Sequence, residues 1–405
     1  MKTRGTIYLD HQATTPVDPR VMETMLPYFT DHFGNPHASD HVIGRSAARA
    51  VDDAAAQVAA LIGADADDII FTSGATEANN LALLGLADEA ARGTRKRILI
   101  SAIEHKSVAA VAYVLMTRLG FRIEAIPVTP DGMVDIDAFE SMLNDDVFLV
   151  SVMLVNNEIG SIQPIERIST LARQAGALLH TDAAQGPLAI DMASMARSAD
   201  LLSLSGHKFY GPQGVGALYA SRTIRPRLRP IFFGGGQQGN VRAGTLPTPL
   251  CVGLGAAALL SSASARDERE RLRRCRDRFV RGVLGLDWPV YLNGPDLDHR
   301  HPGNANLRFY GFTAHDILAA LQPKLAASTG SACASWDGSG AVPEPSHVLR
   351  AIGLSRAQAE ASIRFSLGRS TTDAHVDEAI GLIDQALTTI ACGGLVAATV
   401  PAASP

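Results

Sequence analysis

Cysteine is scarce in this sequence, with four residues among 405, at positions 251, 275, 333 and 392. These cysteines form no CxxC pair and follow no regular spacing, so the sequence predicts neither a disulfide framework nor a zinc site. We therefore expect no bound metal. Free, irregularly spaced thiols are typical of a protein that stays in a reducing cytosol.

Long apolar runs and an excess of basic charge are also missing. The first residues, MKTRGTIYLDHQATTP, lack the apolar core of a signal peptide, and no run is long enough to span a bilayer. The formal net charge of −5 argues against a dedicated surface for nucleic acid or membranes. Basic residues cluster at 266–281, but acids interleave with them at helical spacing, which favours a solvated helix face. We expect a cytoplasmic protein without direct nucleic-acid or membrane binding.

Short apolar strands alternate with amphipathic helices over the first 250 residues. Most of these strands are apolar at consecutive positions, which is typical of strands covered on both faces. The predicted strands are 69–72, 97–101, 147–155, 177–181, 201–204 and a possible antiparallel strand at 214–220. Helices are predicted between them, for example at 76–91 and 164–176. This alternation indicates an α/β fold with a largely parallel sheet.

The composition changes after Pro249, which predicts a second, smaller α+β domain. The expected division is an N-terminal segment at 1–15 that packs with the small domain, a large domain at 16–250 and a small domain at 251–392. The tail at 393–405 has Gly, Pro and Ala without periodicity, and we expect it to be disordered.

Polar residues follow five of the predicted strands, at the edge where an open parallel sheet binds ligands. A Gly-containing turn at 73–77 opens a helix and could hold a phosphate, although a plain helix cap has the same pattern. Asp182 follows another strand and suits pairing with a buried cation, or could itself cap a helix. Lys208 lies just past an apolar strand with no acid nearby in the sequence. A desolvated lysine there can bind the aldehyde of a carbonyl cofactor, so the three features together predict a pyridoxal phosphate pocket.

Nine sequence strings resemble the cysteine desulfurases, which are class V aminotransferase-like enzymes that use pyridoxal 5′-phosphate. The strings are YLDHQATTPVDPRV, SGATEANN, EHKSV, VNNEIGSIQPI, HTDAAQ, SLSGHKFYGPQGVGALY, GGGQQGNVRAGTLPT, STGSACAS and SIRFSLGR. GSACAS resembles the first group of the family, which serves iron–sulfur cluster assembly and tRNA thiolation. The resemblance implies an aspartate-aminotransferase-like fold with a mostly parallel seven-stranded sheet.

The resemblance also implies a role for each matching residue. Lys208 would bind the cofactor and move protons at the substrate, His105 would stack on the pyridine ring and assist acid–base steps, and Cys333 would be the nucleophile. The implied cofactor contacts are Asp182 with the ring nitrogen, Gln185 with the ring hydroxyl, and Ala75, Thr76, Ser205, His207 and Thr245 with the phosphate. Thr245 resembles a residue that reaches the phosphate from a partner subunit, so a homodimer is implied. Asn157 and Arg364 would bind the carboxylate of the substrate, L-cysteine.

Cys333 lies in a run of small residues, ASTGSACASWDGSG, which cannot bury enough apolar surface to offset the entropy of ordering it. We expect this segment to be mobile, because one thiol must take sulfur from the substrate and deliver it to an acceptor protein. The implied products are L-alanine and a persulfide on Cys333.

Alternatives remain open from the sequence. A selenocysteine lyase or another class V aminotransferase-like enzyme would share the scaffold, although simple transamination needs no thiol. An inactive paralogue that serves as a binding protein would not need Lys208, His105 and Cys333. The sequence departs from the family pattern at 237–240, at 35–38 and between Cys333 and Glu344, and these departures bear on which protein accepts the sulfur. The pathway therefore stays open between iron–sulfur cluster assembly, tRNA thiolation and DNA phosphorothioation.

Overall fold

The computed structural model describes residues 2–3, 5–263, 265–330 and 345–394. The strands are β1 (Lys2–Thr3), β2 (Thr6–Tyr8), β3 (Ile69–Thr72), β4 (Arg97–Ser101), β5 (Arg122–Ile126), β6 (Val147–Ser151), β7 (Leu178–Asp182), β8 (Leu201–Ser205), β9 (Gly216–Ala220), β10 (Val290–Leu292), β11 (Asn304–Phe309), β12 (Leu325–Ala326) and β13 (Ser362–Ser366). The α-helices are α1 (Pro19–Met25), α2 (Pro27–Thr30), α3 (Val42–Ile62), α4 (Ala75–Leu84), α5 (Ala87–Arg92), α6 (Lys106–Leu119), α7 (Ile136–Met142), α8 (Ile165–Gln174), α9 (Met195–Ser198), α10 (Thr248–Ala263), α11 (Ala265–Leu284), α12 (Ala314–Leu321), α13 (His347–Ala351), α14 (Arg356–Glu360) and α15 (Asp373–Gly394).

The largest sheet has seven strands in the order β3-β9-β8-β7-β6-β4-β5. Strand β9 pairs antiparallel with both of its neighbours, and the other pairings are parallel. One apolar core covers the face towards α3, α8 and α10, and a second covers the face towards α4, α5 and α6. Burial on both faces explains the consecutive apolar positions in these strands. The predicted seven-stranded, mostly parallel sheet is confirmed, including the antiparallel β9.

Two predicted elements differ in length from the observed ones. The helix predicted at 76–91 is two helices, α4 and α5, because α4 ends at Gly85. The strand predicted at 147–155 ends at Ser151 in the sheet. Beyond that point the backbone still bonds to β7, through Val152 N to His180 O and Leu154 N to Asp182 O, before it turns.

A separate core lies in the C-terminal part of the chain. There β10, β11 and β13 form an antiparallel sheet, which packs with α11, α12 and α15. Ile7 and Leu9 of the N-terminal segment belong to this core, and β2 pairs in parallel with β12. Helix α15 runs to Gly394, two residues into the predicted tail. The residue limits of the domains stay predictions, and the rest of the tail lies outside the described residues, as Cys333 does.

Arg369 links the two parts of the molecule. Its guanidinium forms ion pairs with Asp18, which caps α1, at 2.6 Å and with Glu268 on α11 at 2.7 Å. It also lies 4.1 Å from the ring centroid of Tyr210. The two acids come from different parts of the chain, so this arginine fixes the small core against the large one.

No single helix within the described ranges is long and apolar enough to cross a membrane, and only the bent pair α10 and α11 passes that test jointly. In the same part of the chain, no three His, Cys, Asp or Glu side chains cluster as a metal site would require.

The small core supplies a test of this packing. Leu272 and Leu284 both lie on α11, but Leu272 is 0% exposed and Leu284 is 41% exposed. We expect Leu272→Ala to lower the free energy of unfolding by about 2–5 kcal/mol, because it leaves a cavity. Leu284→Ala should change it by less than about 0.5 kcal/mol. Urea unfolding followed by circular dichroism at one protein concentration measures both, and equal losses would contradict the packing.

Candidate active site

A cavity of about 570 Å³ opens at the carboxyl ends of the parallel strands. It brings together the side chains that follow five strands, as the sequence predicted. The predicted site residues that line it are Ala75, Thr76, His105, Asn157, Asp182, Gln185, Ser205, His207 and Lys208. Thr245 does not line it within the described chain and lies exposed before α10.

The first turn of α4 forms one end of this cavity. Gly74 precedes the helix at φ 148°, a backbone conformation that favours glycine. A Cβ on Gly216 would lie 2.7 Å from the Cα of Gly74, so glycine at 216 allows β9 to approach the turn closely. The first N–H groups of a helix have no intrahelical partner, and Ser205 and His207 line the same cavity as this turn. This end of the cavity suits an anion.

The carboxylate of Glu77 holds the backbone of this turn by a hydrogen bond. Its Oε2 accepts the backbone N–H of Ser73 at 2.7 Å, and its Oε1 accepts Arg242 Nε at 2.8 Å. The carboxylate therefore joins the turn to the segment that leads to Thr245.

Lys208 stands at the centre of the cavity wall, at the end of the short 3₁₀ turn that follows β8. Its Nζ donates to the backbone carbonyls of Gln12 at 2.9 Å and Ala13 at 2.8 Å. Gln185 Nε2 donates to the same Gln12 carbonyl at 2.9 Å. The N-terminal segment thus forms part of the site, which sequence reasoning missed, although the string YLDHQATTP was itself one of the family signals.

Asp182 and His105 are held by a buried network. Asp182 Oδ1 accepts the backbone N–H of Ala184 at 3.0 Å, and its Oδ2 accepts Asn79 Nδ2 at 2.8 Å. His105 caps the N-terminus of α6, where its Nδ1 accepts the backbone N–H of Ser107 at 3.1 Å. Asn79 and Ser107 were not predicted, because the bonds of Asn79 to Ser107 and Asp182 span 28 and 103 positions of the chain.

The two histidines of the site, His105 and His207, have pKa values below that of free histidine. Burial lowers the pKa of His105, a shift that the Asp182 carboxylate opposes and the charge of Lys208 strengthens. Burial and the charge of Lys208 lower the pKa of His207 to about 4. His207 Nδ1 lies 3.0 Å from Thr14 Oγ1, which fixes the ring against the N-terminal segment. Both rings are therefore neutral at physiological pH.

A second cavity of about 170 Å³ adjoins the first, and His105, Asn157 and Lys208 line both. Arg364 closes its far end and is 1% exposed. Its Nη2 donates to Asp10 Oδ1 at 2.6 Å, and its Nη1 donates to the Asn157 carbonyl at 2.9 Å. Arg364 Nε has no hydrogen-bond partner within the described residues. A buried guanidinium with an unused donor is a site for an anion.

Two buried carboxyl groups line the second cavity, and sequence reasoning assigned neither. Burial and repulsion from Asp182 raise the pKa of Glu104 well above its ordinary value, and burial raises that of Glu158. Glu104 Oε1 accepts the backbone N–H of Met153 at 2.5 Å. Glu158 Oε2 accepts Ser346 Oγ at 2.5 Å. Glu104 lies in the string EHKSV and Glu158 in the string VNNEIG, and both strings resemble the family. That position beside predicted site residues was the only signal for them in the sequence.

The predicted nucleophile, Cys333, lies outside the described residues, between Gly330 and Pro345. Both flanks of that gap contact the second cavity. The Gly330 carbonyl accepts Arg364 Nη1 at 3.4 Å, and Ser346 binds Glu158. His347 Nε2 lies 2.8 Å from the Glu104 carbonyl. The described residues on both sides of Cys333 therefore border the second cavity.

Comparison with known proteins agrees with this geometry. The sequence model of the family described as "Aminotransferase class-V" matches residues 7–379. The cysteine desulfurase IscS of Rickettsia rickettsii (strain Iowa) is 46% identical over 377 residues, which cover 93% of this chain and 90% of that protein. A solved NifS-like protein superposes with a TM-score of 0.87 at 30% identity, covering 95% of this chain and 100% of the other. A structure of SspA in complex with cysteine gives a TM-score of 0.76 at 34% identity, covering 90% and 99% of the two chains. The chain belongs to the class V aminotransferase family and, within it, to the cysteine desulfurases, which depend on pyridoxal 5′-phosphate.

Proposed function

We propose that this protein removes sulfur from L-cysteine, releases L-alanine and carries the sulfur as a persulfide on Cys333 to an acceptor protein. The observation that carries the proposal is the arrangement of the two adjoining cavities. Lys208, Asp182 and the α4 N-terminus surround the first, and the buried Arg364 closes the second. His105, Asn157 and Lys208 line both, so a ligand in one cavity is within reach of the other.

The residues of the first cavity fit pyridoxal phosphate. The α4 turn, with Thr76, Ser205 and His207, would hold the phosphate at the anion-binding end. Asp182 would pair with the ring nitrogen, and Gln185 would contact the ring hydroxyl. Lys208 would bind the aldehyde, and its Nζ already lies at the cavity wall. When bound, the cofactor withdraws electrons from the α carbon of an amino acid.

The second cavity suits the substrate. Arg364 and Asn157 would bind its carboxylate, with Arg364 Nε as the donor that the protein leaves unused. Asp10 and the carbonyl of Asn157 fix the guanidinium, so the arginine is oriented before the substrate arrives. Burial raises the pKa of Glu104 and of Glu158, which weakens the repulsion between this wall and a substrate carboxylate.

Cys333 would complete the reaction. Its thiolate attacks the sulfur of bound cysteine, a sulfur–sulfur bond forms while the carbon–sulfur bond breaks, and the carbon fragment takes up a proton to leave as alanine. The same sulfur then passes to an acceptor thiol. Simple transamination would use no such thiol. The relative solved with bound cysteine supports cysteine as the substrate, ahead of selenocysteine.

A homodimer would complete the phosphate end of the site. Thr245 lies exposed, away from the cavity of its own chain, as expected of a residue that serves a partner subunit. Large apolar side chains that lie close together in the sequence are exposed on and beside α1, α2 and the start of α3, at Leu26, Phe29, Phe33, Val42 and Ile43. A contiguous exposed apolar patch is typical of a protein interface.

The scarcity and spacing of cysteine favour the cytoplasm as the compartment.

Lys208 gives the first test. Borohydride reduction of the yellow protein should attach the cofactor permanently to Lys208, which mass spectrometry of the digested protein detects. Lys208→Ala should lose the adduct and all desulfurase activity, because Lys208 is the lysine that lines the first cavity among the described residues. Lys96→Ala, which alters an exposed lysine before β4, should keep both. An adduct on another lysine would remove the cofactor assignment.

Cys333 gives the second test. Cys333→Ala should keep the yellow colour and cysteine binding but release no sulfide or alanine, because the sulfur has no acceptor. Cys392→Ala, which alters an exposed cysteine on α15, is the matched control and should behave like the wild type. Mass spectrometry after incubation with labelled cysteine should find the extra sulfur on Cys333. Undiminished turnover by Cys333→Ala would refute the persulfide route.

Arg364 gives the third test. Arg364→Lys keeps the positive charge but loses the planar donor set, so we expect KM for cysteine to rise about 10- to 100-fold. The absorbance of the bound cofactor should stay unchanged, because Arg364 lines only the second cavity. Arg356→Lys, on the exposed helix α14, serves as the control. A fall in kcat at constant KM would argue against carboxylate binding by Arg364.

A further inference from the structure

Four side chains form a hydrogen-bonded chain from Asp182 to His105 beneath the first cavity. Asn79 Nδ2 lies 2.8 Å from Asp182 Oδ2 and 2.8 Å from Ser107 Oγ. Ser107 Oγ lies 2.8 Å from His105 Nδ1. Asn79 is 0% exposed and Ser107 is 9% exposed, so water does not compete for these bonds.

The donor and the acceptor in each of these bonds can be assigned by starting from Asp182. An ionised carboxylate only accepts, so Asn79 turns its NH₂ group and not its oxygen towards Asp182. The second hydrogen of that NH₂ group is donated to Ser107 Oγ. Since the Ser107 oxygen accepts there, its own hydrogen is left for His105 Nδ1. Asn79 Oδ1 has no partner within the described residues, so no other contact decides the orientation of the amide.

The helix cap fixes the same nitrogen independently. His105 is the N-cap of α6, and the backbone N–H of Ser107 donates to its Nδ1 at 3.1 Å. A backbone amide cannot reverse its role, so Nδ1 is an acceptor for two donors. In a neutral imidazole the remaining proton must then lie on Nε2.

We infer that Asn79 and Ser107 are positioning residues that lock His105 as the neutral tautomer with its proton on Nε2, so that the ring serves the site as a hydrogen-bond donor and not as a base. The meaning of this lock for catalysis rests on the proposed function. The tautomer itself is a property of the protein alone.

The surroundings of His105 oppose a second proton. Protonation of Nδ1 would set its N–H against the backbone N–H of Ser107 and would end the donation of the Ser107 hydroxyl to this nitrogen. The positive end of the α6 dipole acts at the same place, and the basic side chains Lys208, Lys106 and His347 also lower the pKa of His105. Asp182 opposes them, and burial and the Asp182 charge raise the pKa of the nearby Glu104 carboxyl well above its ordinary value. With the ring locked, removal of the substrate proton falls to Lys208, which lines both cavities.

Nitrogen NMR of the holoenzyme, labelled with ¹⁵N in its histidine rings, tests the lock. Loss of the matching signals in His105→Gln identifies His105. We expect the pattern of a protonated Nε2 and an accepting Nδ1, unchanged from about pH 6 to about pH 9, where an ordinary histidine titrates at the lower end. A proton on Nδ1, or a doubly protonated ring near neutral pH, would overturn the inference.

Variants of the chain test the positioning role. Ser107→Ala removes one donor to Nδ1, and Asn79→Ala releases the serine hydroxyl to rotate away. Each should raise the proton affinity of His105 about three- to tenfold, which the NMR titration and the acid limb of the kcat pH profile should both report. Ser107→Thr keeps the hydroxyl and should restore the wild-type titration.

Asn80→Ala is the matched control. Asn80 is the neighbouring asparagine on α4, and its Nδ2 donates to the Thr76 carbonyl at 2.8 Å. It should leave the His105 signals unchanged. If Ser107→Ala and Asn79→Ala also leave them unchanged, the positioning role is refuted. If the tautomer is as expected but the enzyme releases no alanine from cysteine, the proposed function fails while this inference stands.

Discussion

The contact of Lys208 Nζ with the carbonyls of Gln12 and Ala13 joins the candidate site to the N-terminal segment of the chain. The lysine leaves the sheet after β8, and the two carbonyls belong to a segment whose earlier residues, Ile7 and Leu9, lie in the small core. One side chain therefore brings together the parallel sheet and the C-terminal part of the chain. Arg364, which Asp10 holds from the same segment, extends this link to β13.

The sequence predicted the sheet and most of the cavity because both depend on local patterns. Consecutive apolar residues mark doubly covered strands, and the ends of parallel strands must meet at one edge, so Asp182, His105 and Lys208 could be placed together. The exact ends of elements depended on single residues, such as Gly85 between α4 and α5. The effect of such a residue depends on the three-dimensional packing, in this case the packing of α4 against the sheet.

The side chains that support the site could not be predicted from the sequence, for a different reason. Asn79 meets Asp182 across 103 positions of the chain, and Glu158 meets Ser346 across 188. A lone Asn or Glu in a helix or turn gives no sign of such a partner. Burial then changes its chemistry, as the raised pKa values of Glu104 and Glu158 show. The supporting residues could be located only once the fold had brought them together.

The flanks of the segment from 331 to 344 are attached to one wall, by Gly330 on Arg364 and by Ser346 on Glu158. The entropic cost of joining two fixed points grows only slowly with the number of residues between them. Insertions or deletions within this segment can therefore accumulate at little cost to stability while the wall and the cofactor pocket stay as they are. The length of this one stretch can therefore change in evolution independently of the residues that line the two cavities.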